Sequence, residues 1–284
     1  MDVRIGLCAL KDLKGRDRRA PLEAPFGALE VGSTFYALPR AEAVFRISVS
    51  VPKGFLLGVK AFGLFTHHPV RSQALPAWAR PQGADRVLRH MVPPRVRRRL
   101  YAAFLEALEP LRSSGKLGYL LFQFPPSFEP SGEALDYLSA IRELSPGWPL
   151  AVELRNPRWF ASGPLEGLLE TARDQNLALV GADLSPHGAM PWHLTATWGA
   201  IARLHGRGTG GGPFPTPEER GNYVYPAQEL RPWRDLALRH AQRVPRVFVM
   251  FNNCVGGSAL KSALAMAGLL GLGEGTPSQT RLGL

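Results

Sequence analysis

Short apolar runs that end in charge constrain this 284-residue chain more than any other feature. Leu150-Ala-Val-Glu-Leu-Arg-Asn-Pro-Arg-Trp159 shows the pattern. Successive side chains of a strand point to opposite faces, so Glu153 and Arg155 share one face while Val152 and Leu154 share the other. The apolar face can pack on a helix. The charged face must meet a cavity, solvent or a partner, because a buried lone charge is costly. The pattern recurs at Glu30, Lys60, Gln123, Asp183, Arg203 with His205, and Asn252, each at the carboxyl end of an apolar run.

Strands are expected at 3–8, 27–31, 55–60, 117–124, 150–155, 177–183, 200–205 and 246–251. Helical spacing is clearest at 95–112, where Val96, Leu100, Phe104, Leu108 and Leu111 fall on one side and Pro93-Pro94 stand at the start. Further helices are expected at 41–51, 133–144, 164–176, 226–242 and 256–270. Strands that alternate with helices argue for α/β architecture and a parallel sheet. Eight such units predict a (β/α)8 TIM-barrel-like closed parallel barrel. A doubly wound open sheet is the alternative, but no Gly-rich fingerprint follows the first strand. The expected layout is one domain over 1–271, with an Arg/Pro-rich insertion around 69–94 and a tail at 272–284. A loop is expected at 184–197, and a mobile Gly/Pro-rich one at 206–221.

No apolar run is long enough to span a membrane. The opening residues lack the layout of a signal peptide, so a cytoplasmic protein without a membrane partner is expected. Two cysteines, Cys8 and Cys254, are too few for a disulfide framework, and free thiols are expected. They follow the first and last strands, which should pair in parallel and bring them close. A net charge of +11 favours anionic partners.

A wider resemblance rests on ordered motifs. Leu29-Glu-Val-Gly-Ser-Thr-Phe-Tyr36, Val59-Lys-Ala61 with Thr66-His67, Leu121-Phe-Gln-Phe-Pro-Pro126, Val152-Glu-Leu-Arg155 with Trp159, Asp183, Arg203-Leu-His-Gly206 and Phe251-Asn-Asn253 occur in that order. Together they resemble the YecE-like family, also called domain of unknown function 72, over roughly residues 3 to 270. The resemblance implies a TIM-barrel-like fold and a shared polar pocket, and it implies no reaction. Gly32 stands where the family usually has Asn, and a short charged loop at 11–19 replaces its aromatic-rich opening.

Barrel sites lie at the carboxyl ends of the strands. Glu153, Asp183, His205 and Lys60 are the catalytic candidates there. Glu30, Thr34, Tyr36, His67, Gln123, Arg155, Trp159, Arg203, Arg207 and Asn252 are the ligand-binding candidates. A carboxylate–imidazole set of Glu30, Glu153, Asp183 and His205 would suit a divalent metal, but no local ligand pair backs it, so no cofactor is assigned. Gln123 and His205 stand at common positions for glycosidase acids, which argues against an ordinary sugar hydrolase. Lys60 as a Schiff-base amine competes with a simple salt bridge to Glu30. Gly206-Arg-Gly-Thr-Gly-Gly211 matches a dinucleotide motif by letter, yet Pro213 and Pro215 follow instead of a helix. Arg203 and Arg207 beside it suit anion capture. Arg86, Arg89, Arg95, Arg97, Arg98 and Arg99 form a basic run that could track a phosphate backbone.

The expectation is a polar, basic pocket for an anionic, phosphorylated small molecule, with hydrolysis or transfer on a phosphate ester. The alternative is a nucleic-acid-binding module with no catalysis of its own.

Overall fold

A computed structural model describes residues 1–9, 20–23, 25–184, 188–208 and 216–272. The charged loop at 11–19, residues 209–211 of the glycine motif and nearly all of the tail lie outside the described residues. The chain divides into two compact units. One comprises Met1–Leu29, Ala182–Ala189 and the chain from Thr197 onward; the other comprises Glu30–Gly181 and Met190–Ala196.

The first unit begins with β1 (Val3–Leu7), which runs parallel to the start of β2 (Ala28–Val31). The last strand of the chain returns to β1, as expected: it covers Val247–Phe251, and Val3 pairs with Val247 through to Leu7 with Phe251. The strand Ala200–Leu204 lies parallel on its other side. Helices at Pro217–Gly221, Ala227–Ala241 and Ser258–Leu269 belong to the same unit. Pro217–Gly221 corrects part of the expected Gly/Pro loop. Thr216 and Glu219 cap that helix reciprocally, each side chain bonding the other's backbone N–H. Both cysteines are free thiols, as expected. The Cys8 N–H donates to the Phe251 carbonyl at 2.9 Å. The Cys254 thiol reaches the same oxygen at 3.7 Å.

The second unit holds α1 (Ala41–Ser50), β3 (Leu56–Lys60), the two-residue antiparallel strands β4 (Val70–Arg71) and β5 (Arg86–Val87), and α2 (Pro94–Ser113). The expected insertion therefore carries local pairing. It continues with β6 (Leu117–Phe124), α3 (Gly132–Glu143), β7 (Leu150–Leu154), α4 (Ser162–Asp174) and β8 (Ala178–Leu179). Strands β3, β6, β7 and β8 pair in parallel in that order. All eight residues of β6 are buried, which explains a run with no polar alternation before Gln123. Leu100, Phe104, Leu108 and Leu111 form the buried stripe of α2. Ser131 caps α3 by accepting the Ala134 N–H at 3.1 Å.

Among the described residues the expected closed ring is not formed. The remaining strands are β9 (Gly181–Leu184), β10 (Gly188–Met190), β11 (Ala200–Leu204) and β12 (Val247–Phe251), and the sheet is an open series, β10-β9-β11-β12-β1-β2-β3-β6-β7-β8. The strand expected at 177–183 is split at Val180 into β8 and β9, and β10 occupies part of the expected loop at 184–197. Thr195 supplies a physical reason for the end at β8. Val180 donates to Val152 of β7, so Leu177 and Leu179 present their backbone groups on the opposite edge. There the Thr195 hydroxyl accepts the Leu179 N–H at 3.0 Å and donates to the Leu177 carbonyl at 2.6 Å. One side chain thus satisfies buried backbone groups that would otherwise need a neighbouring strand.

Candidate functional site

In the second unit the carboxyl ends of β2, β3, β6 and β7 carry the polar side chains. Gln123 and Glu153 are register partners on β6 and β7. Both are buried, Glu153 completely. Arg155, two residues beyond Glu153, folds back over them. Its Nε donates to Glu153 Oε1 at 3.0 Å, and its Nη2 donates to Gln123 Oε1 at 2.9 Å. The Arg155 side chain stays 30% exposed, so one buried carboxylate and one neutral amide hold a residue that still meets solvent. Glu30 Oε2 accepts from the Tyr119 hydroxyl at 3.1 Å.

The turn after β2 completes this end. Thr34 donates to the Lys60 carbonyl at 2.6 Å and fixes the β2 turn to the end of β3. That places the Phe35 ring under Lys60, whose ammonium lies 4.0 Å from the ring centre. His68 meets the edge of the same ring, with centroids 4.9 Å apart. Its Nδ1 lies 2.9 Å from the Thr66 hydroxyl. Burial, then Lys60, then Arg155 lower the His68 pKa to about 4, against a smaller upward pull from Thr66. A neutral imidazole therefore stands among cations at neutral pH. Tyr36 is exposed beside this cluster in the chain and packs edge-on against Phe35.

The tandem histidines separate the expected role from the observed one. His67 takes a left-handed conformation, φ +62°, which turns the two rings apart. Its ring packs among Phe124, Phe128 and Tyr137. Burial, Arg89, His68 and Arg97 lower its pKa to about 4 as well. His68, absent from the sequence candidates, stands with Lys60 and Arg155. The Thr66-His67-His68 run was the available signal, but it does not reveal which ring turns inward. Trp159 is corrected too: it is 1% exposed, stacks on Phe128 and donates its indole N–H to the Phe128 carbonyl at 2.8 Å. Its ring is packed into the core.

In the first unit the polar ends form a different arrangement. Asp183 is buried, and its Oδ2 accepts from Arg207 Nε at 2.8 Å. Arg207 also pairs with Glu229 at 3.3 Å. Burial opposes the Arg207 charge, but Asp183 and Glu229 more than offset it and raise its pKa. The Tyr223 hydroxyl donates to Glu229, and burial with that carboxylate raises its pKa to about 12. The Tyr225 hydroxyl accepts the Gly206 N–H at 2.8 Å. Burial and the Asp183 charge push that phenol's pKa upward. Gly206 makes the turn at φ +84°, where a Cβ would overlap the Arg220 carbonyl.

His205 and Asn252 meet, with His205 Nδ1 accepting from Asn252 Nδ2 at 2.9 Å. A neutral His205 ring then carries its proton on Nε2. Arg203 is buried at the end of β11. Among the described residues, no group of three or more His, Cys, Asp or Glu side chains is arranged to hold a metal ion. The carboxylate–imidazole set of Glu30, Glu153, Asp183 and His205 is therefore not assembled as metal ligands.

Parallel strands with polar carboxyl ends define an α/β protein of TIM-barrel-like class. Residues 10–282 match the family described as "Protein of unknown function DUF72", and the chain belongs to it. It is 29% identical over 254 residues to the UPF0759 protein YunF of Bacillus subtilis, covering 86% of this chain and 83% of that one. A DUF72 family protein from Enterococcus faecalis superposes with a TM-score of 0.77 at 24% identity, over 95% of this chain and 96% of that one. A DUF72 family protein from Thermotoga maritima gives 0.71 at 27% identity, over 95% and 100%. Among the described residues, no helix is long and apolar enough to cross a membrane.

Proposed function

We propose that the strand ends of the second unit bind a small phosphorylated anion, with hydrolysis or transfer of its phosphate ester as the reaction class. The observation that carries this reading is the arrangement around His68. Lys60, Arg155 and His68 meet at one place, and among the described residues Arg155 pairs with a single carboxylate. An incoming phosphate would complement Lys60 and the exposed edge of Arg155. It would also raise the His68 pKa, because a nearby anion favours the imidazolium. In hydrolysis a water oxygen bonds to phosphorus as the ester P–O bond breaks. His68 would take the water's proton, and solvent would protonate the leaving oxygen. Glu153 holds Arg155 in place, and Lys60 offsets developing charge. Asp183 and His205 remain candidates for acid–base work in the first unit.

Titration of the His68 ring by NMR with inorganic phosphate tests binding, and turnover of p-nitrophenyl phosphate tests reaction. Binding should move the His68 pKa upward, and Lys60→Gln should weaken it by about tenfold, as loss of one charge-assisted contact does. An unmoved His68 at saturating phosphate would refute the reading.

A second reading, nucleic-acid binding without catalysis, is supported by Arg86, Arg95, Arg98 and Arg99, which are all exposed. It requires steep weakening with salt. An oligonucleotide affinity that is flat between low and moderate salt would exclude it.

A further inference from the structure

A cleft of about 390 Å³ opens between α2 and α3, over the turn Gly63–Thr66. Its apolar wall includes Phe65, Tyr101 and Tyr137, and its basic rim is Arg89, Arg97 and Arg98. Among the described residues, Glu143 is the one carboxylate in the lining. Among the described residues, none of the three arginines forms an ion pair with a carboxylate.

The rim is built, not merely charged. Arg97 Nη1 donates to the carbonyls of Arg89 at 3.0 Å and Val92 at 2.7 Å, which fixes the guanidinium and leaves its other N–H groups uncommitted to those bonds. Arg89 lies over the Tyr137 ring, 4.4 Å from its centre. Tyr137 is itself held by its hydroxyl, which donates to the Phe65 carbonyl at 2.8 Å. Burial and the neighbouring Arg89 both lower the Arg97 pKa, as expected for like charges drawn together with part of their water removed. Such crowding is unfavourable unless an anion offsets it.

We propose that this cleft is a second ligand site, for a phosphate or carboxylate attached to a planar apolar body. The three arginines take the anion, and the wall of Phe65, Tyr101 and Tyr137 takes the body. Neither the wall nor the rim shares a residue with the Lys60–His68–Arg155 cluster.

The probe is phenyl phosphate, titrated by calorimetry into the full chain beside inorganic phosphate and phenol. Phenyl phosphate should bind more tightly than either part. Arg89→Gln should lower its affinity by about tenfold, and Arg98→Gln by about threefold because that side chain is exposed. Lys60→Gln weakens the strand-end site alone, so the arginine-dependent binding event should persist in that variant at unchanged affinity. Arg98→Gln keeps the test valid if Arg89→Gln disturbs the fold. Absence of binding overturns the proposal, as does equal affinity for inorganic phosphate. Affinity lost in Lys60→Gln and kept in both arginine variants also overturns it, and assigns the ligand to the strand ends instead. A single-stranded oligonucleotide that binds far more tightly than phenyl phosphate, with steep salt dependence, would overturn it in favour of a nucleic-acid surface.

Discussion

Arg155 and Arg207 both project from the polar end of a parallel strand, yet they are neutralised differently. Arg207 is held by two carboxylates, Asp183 and Glu229. Arg155 is held by one carboxylate and a neutral amide, Glu153 and Gln123. Near Arg155 stand a lysine over an aromatic ring and a histidine kept neutral. Two acids leave a guanidinium no surplus charge to offer a ligand. One acid and an amide leave part of it. A count of basic residues would rate the two regions alike, and only the partners distinguish them.

The largest test of that contrast is stability. Glu153→Gln removes the one carboxylate that, among the described residues, pairs with Arg155, from a fully buried position, and should cost about 2–3 kcal/mol, near the lower end for breaking a buried pair because Arg155 can reach water. Asp183→Asn should cost only about 1 kcal/mol, since Arg207 keeps Glu229. Urea unfolding of both variants checks the order, and equal losses would erase the distinction. Ligand affinity comes next. Arg155→Gln should weaken inorganic phosphate by about tenfold, whereas Arg207→Gln should leave it unchanged. Calorimetry that showed the reverse would move the anion site to the first unit.

The pH response is the smallest effect. His67 and His68 both have folded pKa values lowered from 6.5 to about 4. Between those values the unfolded chain binds protons that the folded chain does not. Stability should therefore rise with pH across that window and fall as pH drops from 6.5 toward 4. His68→Asn and His67→Asn should each flatten the slope in thermal melts. With phosphate bound, the His68 share should shrink while the His67 share stays.

Much of this was legible in the sequence because burial leaves a mark on composition. The apolar runs before Gln123 and Glu153 read as strands and are strands with buried ends, and the run before Asp183 is strand on either side of Val180. The pairing of β1 with β12 followed from reading the first and last runs as neighbours. What failed depends on single torsions or single side chains. One left-handed residue, His67, exchanged the roles of two adjacent histidines. Trp159 stands three residues after Asn156, in a stretch that reads as a loop, but its indole turns inward onto Phe128. The glycine-rich stretch before Gly221 hid a short helix, because its signal is the Thr216–Glu219 capping pair rather than any apolar period.

The Thr195 hydroxyl carries a consequence for which sequences this fold can accept. It stands in for two backbone partners at the edge of β8, acting as donor and acceptor at once in a buried place. Serine has both functions. Valine has the same shape and neither function, and would leave an N–H and a carbonyl stranded without water. Position 195 should therefore be selective for chemistry and indifferent to bulk: in a library of all twenty amino acids, the hydroxyl residues should survive and the isosteric valine should be lost.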